Sequence, residues 1–347
     1  MHTWMRWGLI ALISSAVAVT AFVGMVAFSS NTISFEGERS VKIPPGSSFE
    51  TTIDSLDAAG ILELSTTFRW FGQATGWRDQ VKAGHYAFES GVSNWEMLDR
   101  IRKGLQTPVR LTIPPGTRPE IAARVAARHM AFDPEDFESA LRDTTLAESL
   151  DTTPTDLFGY LLPETYHFYW RTSAREVIRR IKQSFDRFAD NTLHEGLEEQ
   201  DLSVREATVL ASIVEWETAI TEEKPRIAGV YLNRLDQRMP LQADPTVQYA
   251  VLEQEGSKRR LLFVDYEIEH AYNTYQFRGL PPGPLTNPSP SSLRAIAEPE
   301  SHSYLYFVAD GTGGHTFSRT LREHNRAAQE YYRLMRERRA QQRNGSR

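Results

Sequence analysis

The sequence predicts an α+β protein in three parts: an N-terminal transmembrane helix, a small α+β module and a larger mixed α/β domain. Three observations predict it. No charged residue appears from Trp7 to Asn31, and the apolar run Gly8 to Phe28 matches the roughly 20 residues that cross a hydrocarbon core as a helix. An extended segment, a glycine and an S/T-x-x-E helix start recur three times, at Lys42 to Gly46 with Ser47 and Glu50, Tyr86 to Gly91 with Ser93 and Glu96, and Arg110 to Gly116 with Thr117 and Glu120. Helical and loop signals then dominate until a final hairpin pattern near the C-terminus. With 347 residues the chain can form two or three domains with substantial cores. Its lack of cysteine excludes disulfides, thiolate zinc sites and a cysteine nucleophile. A net charge of -6 without a basic stripe argues against a nucleic-acid partner.

In chain order, residues 1–6 form a cytoplasmic stub and 7–29 the membrane helix. A signal peptide is the rival, since Arg6 precedes the run and Ala16-Val-Ala18 resembles a cleavage site, but the apolar segment outlasts a usual signal core. Arg6 lies before the run and Glu36 and Glu38 after it, so the N-terminus is expected in the cytoplasm. Everything from Ser34 onward then lies outside the cytoplasmic membrane, carried by a single span.

Residues 41–108 form the small module, with a helix at Asn94 to Ile101 that carries apolar residues at helical spacing. Residues 109–338 form the larger domain, and 339–347 an Arg-rich tail. Within that domain, Asp133 to Asp156 is acidic and threonine-rich, a helix and a solvated loop. In Gly159 to Trp170, Tyr160, Tyr166 and Glu164 crowd around a proline, a composition that suits sugar rings and also suits a core. A polar helix is expected from Ser173 to Leu197. Ser203 and Glu206 then make a capping box that starts a helix from Val204 to Thr218. Pro225 starts the next helix, and Asp244 is placed to cap one that Pro245 begins. The prolines from Gly279 to Pro288 make a rigid loop, and Tyr304 to Ala309 with His315 to Ser318 form a hairpin before a terminal helix.

The chemistry concentrates in Leu210 to Thr218, an apolar run with two glutamates. At about 100° per residue Glu215 shares a face with Thr208, Ala211 and Ser212, while Glu217 points almost oppositely. The short side chains on the first face leave room for a substrate, so Glu215 is the candidate acid and Glu217 a supporting residue. Apolar neighbours Val214 and Trp216 are expected to raise the pKa of Glu215 by desolvation. Asn233, Gln242, Asp244, Thr246, Asn273 and Thr274 have the amide, acid and hydroxyl groups that hold N-acetyl and hydroxyl substituents, and each is equally suited to a cap or turn. Arg234, His315 and His324 are further supporting residues. Dispersed acids and the absence of an H-E-x-x-H pattern argue against a metal, and no cofactor is expected.

These residues fall in the order Ala211-Ser-Ile-Val-Glu-Trp-Glu217, Asn233-Arg234, Asp244-Pro-Thr246, Tyr272-Asn-Thr-Tyr275, Gly279-Leu-Pro-Pro-Gly283, Tyr304 to Ala309, Gly314-His-Thr-Phe-Ser318 and Glu323-His-Asn325. In this the chain resembles the YceG-like family of MltG-type endolytic murein transglycosylases, over nearly everything after the apolar helix. The resemblance implies cleavage of the β-1,4 bond between N-acetylmuramic acid and N-acetylglucosamine within peptidoglycan strands. It implies 1,6-anhydro ends, a membrane-anchored extracytoplasmic catalytic domain, and strand termination beside peptidoglycan synthases. It assigns catalysis to the first glutamate of the motif, Glu215 here. Where the family shows lysine between the glutamates this chain has Trp216, and where it shows an acid before Gly-Tyr this chain has Phe158. Glu164 stands where the family more often has Asp. The small module resembles LysM-like modules, which bind N-acetylated glycans, and a plain spacer stays open beside that. Two other functions also stay open: a non-catalytic peptidoglycan-binding scaffold, and an inverting muramidase using Glu215 and Asp244.

Overall fold

The computed structural model describes residues 2–345 and divides them into two compact units. The first runs to Arg110 and includes His129–Ala131 and His167–Thr172. It begins with α1 (His2–Phe28), of which Trp4–Phe28 contains an 18-residue stretch with a mean hydropathy of 2.4 and is long and apolar enough to cross a membrane. Residues 2–6, expected as a stub, are the first turn of this helix. There follow β1 (Glu38–Ile43), α2 (Phe49–Ala58), α3 (Ser65–Thr75), β2 (Gly84–Glu89) and α4 (Asn94–Lys103).

β1 and β2 pair antiparallel, from Glu38 opposite Glu89 to Ile43 opposite Gly84. Alternation turns Val41, Ile43, Tyr86 and Phe88 inward onto Ile53, Leu56, Phe68, Met97 and Ile101. The helix starts agree with the sequence signals to within a residue. Ser93 accepts from the Glu96 amide at 3.3 Å, but α2 is capped by Ser48 rather than Ser47, its hydroxyl accepting from Thr51 at 3.0 Å. The sequence offers two adjacent serines, and the strand-to-helix turn at Gly46 decides between them.

The second unit holds β3 (Val109–Thr112) from Leu111 onward, then α5 (Pro119–His129) to Arg128, α6 (Pro134–Leu141), α7 (Thr144–Glu148), α8 (Pro154–Leu157), β4 (Thr165–Phe168) to Tyr166, α9 (Ala174–Phe188) and α10 (His194–Glu199). Where one helix and a solvated loop were expected from Asp133 to Asp156, three short helices bury Phe137, Leu146 and Leu157. The expected polar helix from Ser173 is interrupted by a π turn at Ala189–Leu193.

Next come α11 (Val204–Glu217), α12 (Lys224–Asp236), α13 (Asp244–Glu255), α14 (Pro290–Ala297), β5 (Tyr306–Ala309), β6 (His315–Ser318) and α15 (Leu321–Gly345). α11 opens with the expected capping box between Ser203 and Glu206. It packs against α12, α13 and α14, and Leu210, Ile213 and Val214 meet Ile227, Tyr231, Leu293 and Ile296 in the core. β5 and β6 form the expected hairpin, Tyr306 opposite Ser318. Asp244 does not cap α13, because Ala243 holds the cap position and the Asp244 carboxylate is engaged by tyrosines instead. The tail expected from residue 339 is helical to Gly345, and Ser346 and Arg347 lie outside the described residues.

Candidate active site

α11 gives its two glutamates opposite surroundings. Glu215 points to the segment that leads into α14. Its Oε2 accepts from the Ser289 amide at 3.1 Å, the Ser289 hydroxyl at 2.5 Å and the Ser292 hydroxyl at 2.5 Å, and lies 3.1 Å from Lys224 Nζ. Both partners of the ion pair are buried, their side chains 10% and 6% exposed. The ammonium of Lys224 donates further to the Ser289 and Ser291 hydroxyls at 3.0 Å. Burial pushes the Glu215 carboxyl up, but the hydroxyls, the amide and the ammonium together outweigh it, and its pKa falls below the ordinary value.

Glu215 is therefore held ionised through its Oε2, against the expectation of a raised pKa. The short residues on its face do leave room, and the protein's own loop takes it: the Ser212 hydroxyl accepts from the Leu285 amide at 2.9 Å. Gly116, at φ +63°, runs close to Glu215 Cγ, and its carbonyl accepts from Trp216 Nε1 at 2.9 Å. Asn287 holds this crossing in place, its carboxamide accepting from the Thr117 amide at 3.1 Å and donating to the Pro114 carbonyl at 3.0 Å.

Glu217, the last residue of α11, borders an open cleft of about 620 Å³ together with Trp216, Asp244 and Gln248. The Tyr231 hydroxyl of α12 donates to Glu217 Oε1. Burial pushes the Glu217 carboxyl up to about 8; the Tyr231 bond opposes the shift, the Asp244 charge adds to it and Arg234 opposes it. Asp244 stands exposed across the same cleft, accepting from Tyr275 Oη at 2.7 Å and Tyr266 Oη at 3.3 Å. Lys258, Arg260, Leu262, Phe263, Tyr266 and Tyr332 complete the rim; Lys258 Nζ lies 4.8 Å from the Trp216 ring centre, and Phe263 is 95% exposed.

Of the residues expected to bind substrate, the structure brings only Asp244 to this cleft. Asn233 clamps backbone, donating to the carbonyls of His302 at 2.9 Å and Tyr304 at 3.0 Å. Asn273 is fully buried and donates to the Ile268 carbonyl at 2.9 Å. Thr246 and Thr274 are buried against each other, hydroxyl to hydroxyl at 2.8 Å. Gln242 is exposed, in a left-handed turn at φ +46°. Tyr160 is buried on Phe185, ring centres 4.9 Å apart, Tyr166 donates to the Leu162 carbonyl at 2.8 Å, and Glu164 is exposed. None of these borders the Glu217 cleft. Phe158, at the acid position of the family pattern, is a core side chain.

Among the supporting residues, Arg234 donates to the carbonyls of Leu305 and Leu241 at 2.6 Å, pinning α12 to the approach to β5. His315 pairs Nδ1 with Glu223 at 2.7 Å, and His324 stacks on Tyr306 with ring centres 5.5 Å apart. Burial, then the Arg234 charge, holds the His324 pKa below its usual value. Sequence reasoning missed Tyr231, Tyr266, Lys224, Ser289 and Ser292 and gave Tyr275 no role of its own. The Tyr-x-x-Tyr pattern of Tyr272 and Tyr275 was visible, but only the fold brings Tyr275 to Asp244.

A carboxyl pushed up by burial, in an open cleft that Asp244 also borders and that aromatic and cationic side chains wall, has the groups that acid–base chemistry uses. The chain belongs to the YceG-like family, whose model matches residues 41–330. It is 30% identical over 307 residues to an endolytic murein transglycosylase of Bacillus subtilis, covering 84% of each chain. It is 31% identical over 320 residues to an endolytic murein transglycosylase of Streptococcus pneumoniae, of whose length it spans 58%. The crystal structure of a YceG-like protein from Listeria monocytogenes superposes with a TM-score of 0.59 at 29% identity, covering 84% of this chain and 99% of that one.

Proposed function

We propose that the protein is an endolytic lytic transglycosylase of peptidoglycan, anchored by α1, in which Glu217 rather than Glu215 is the acid–base residue. The observation that carries this is the contrast between the two carboxyls. Glu217 borders the cleft and burial pushes its carboxyl up to about 8, while Glu215 is held ionised with its Oε2 taken up by Lys224 and two serines. A general acid must hold its proton at the working pH and reach the substrate. Glu217 meets both conditions.

Glu217 gives its proton to the glycosidic oxygen as the bond from muramic acid C1 breaks. The 6-hydroxyl of the same sugar then attacks C1, and its proton passes to the Glu217 carboxylate, which restores the acid. No water is consumed, and the product is a 1,6-anhydro end. Asp244, whose charge already raises Glu217, borders the same cleft and would stabilise positive charge developing on an oxocarbenium-like centre. Trp216, Phe263 and Tyr332 offer stacking faces for neighbouring rings. In this reading the cleavage ends nascent strands beside the synthases, and the catalytic unit lies on the extracytoplasmic side. In the small unit, hydroxyls and charges of Ser47, Ser48, Glu50 and Arg78 border a hollow of about 400 Å³ that suits a LysM-like glycan contact.

The presence of a second carboxylate in the cleft favours one other reading, a hydrolase in which Asp244 activates water opposite Glu217. Mass spectrometry of products from purified glycan strands separates the two. Anhydro ends are expected, absent in Glu217→Gln. Reducing ends would establish the hydrolase, and no cleavage by the wild-type chain would leave a binding scaffold.

A further inference from the structure

α1 does not end in a free tether. The Phe22 ring lies 5.9 Å from Trp70 of α3, and the Phe28 ring stacks 5.5 Å from Trp95 of α4. Asn94 Nδ2 donates to the Val26 carbonyl at 2.8 Å, and Ala27 is buried in the core of the small unit. The residues after the helix continue the joint. Asn31 donates to the Leu64 carbonyl at 3.1 Å and to Asn94 Oδ1 at 2.6 Å, and accepts from the Leu64 amide at 2.9 Å. A helix end held by packing and hydrogen bonds on this scale moves with the unit it joins.

Around this joint the unit keeps apolar surface uncovered. Trp70 and Trp95 each stay 40% exposed despite their ring contacts, and Leu64 is 55% exposed beside them. Trp95 is further buttressed by Trp77, ring centres 4.8 Å apart, so its position is set by the fold.

The helix supplies a ruler for what covers that surface. Trp4 and Trp7 mark one end of α1, and Phe22 and Phe28, with their tryptophan partners, mark the other. At 1.5 Å per residue the midpoints of the two pairs are about 29 Å apart, against a hydrocarbon core of about 30 Å. Tryptophan concentrates at both membrane interfaces, where an apolar ring body and a polar N–H are both satisfied. Phe22 lies six residues before Phe28, about 9 Å back along the axis, so Trp70 stands beside the span rather than beyond it.

We propose that Trp70, Trp95 and Leu64 form a membrane-seating surface, by which the small unit rests in the headgroup region of the outer leaflet at a fixed height. The partner is the lipid interface itself, and the apolar area is covered by acyl-chain carbons at roughly 25 cal/mol per Å² removed from water. This rests on α1 crossing the membrane.

The cysteine-free sequence allows single spin labels to be placed without further substitution. The full chain carrying Val17→Cys, Leu64→Cys or Trp70→Cys is labelled and reconstituted into phosphatidylcholine and phosphatidylglycerol vesicles. Collision rates are then measured with oxygen, which enriches in lipid, and with a nickel chelate, which stays in water. Val17, mid-helix, should read as deep. Leu64 and Trp70 should show an oxygen-to-nickel ratio several-fold above that of a label in water, and below that of Val17. Water-like values at both Leu64 and Trp70 with Val17 deep would overturn the seating and leave the anchor standing. A water-like Val17 would overturn the anchor and the seating with it. The Leu64 side chain is more than half exposed, so its label reads out even if Trp70→Cys loosens α3.

Discussion

The two glutamates of α11 are chemically identical and two residues apart, and their surroundings assign them opposite protonation states at neutral pH. Their replacements should therefore fail in opposite ways. Glu215→Gln leaves the buried Lys224 ammonium without its counter-charge, a loss of about 3 kcal/mol in stability for a broken buried pair. Glu217→Gln removes a carboxyl whose ordinary pKa of 4.5 is raised to about 8 on folding. The native state binds the extra proton between those values, so wild-type stability is fullest below about 4.5 and declines as pH rises through about 8. Glu217→Gln should accordingly match the wild type in melting temperature near pH 4.5 and exceed it at pH 9, while forming no anhydro product. A Glu217→Gln protein that melts lower than wild type at pH 9 would contradict a carboxyl raised by burial. Wild-type kcat should fall on the alkaline side as Glu217 loses its proton near pH 8, and an alkaline limb near pH 5 would show that another group is titrating.

At the scale of elements, α11 was legible because its signals are local. Ser203 and Glu206 lie three residues apart, and the capping box they form is the one observed. The β5–β6 hairpin was legible for the same reason. What a helical wheel cannot contain is the identity of whatever covers each face. The face of Glu215 looked vacant from Thr208, Ala211 and Ser212, and the loop that fills it comes from residues 284–292, about seventy positions away. Asn233 and Asn273 spend their amides on backbone for a related reason: an amide finds whichever carbonyl the tertiary fold brings to it, here His302 and Ile268. The helix carrying Tyr231 shows how close these contacts are. A methyl at Gly229 would stand 2.7 Å from the Glu300 carbonyl and 2.8 Å from His302 Nε2, closer than real contacts allow. Gly229→Ala should cost about 1–3 kcal/mol by forcing α12 off that backbone. Thermal unfolding would show it as a drop of several degrees, and an unchanged melting temperature would mean that the 298–302 segment yields without cost.

Over the whole molecule, the proposed chemistry and the proposed attachment fall in different cores. Every residue that borders the Glu217 cleft lies between Trp216 and Tyr332, and the joint to α1 is made by residues 22–95 of the first unit. Removing the apolar helix should release a soluble chain whose cleavage of isolated glycan strands is unchanged within about twofold, since no cleft group is touched. Where the cut falls matters for the first unit alone. A chain beginning at residue 29 keeps Asn31, and with it the bonds to Leu64 and Asn94. A chain beginning at residue 34 strands the buried Asn94 carboxamide and the Leu64 backbone, an unsatisfied-group cost of about 1–3 kcal/mol. In a unit of roughly a hundred residues that cost lowers the melting temperature by at least about 4 °C. Calorimetry of the two truncated chains, run beside their product assay, tests both statements at once. Equal melting of the first unit would show that Asn31 is not part of its fold, and a tenfold fall in cleavage for the longer chain would show that the cleft depends on α1.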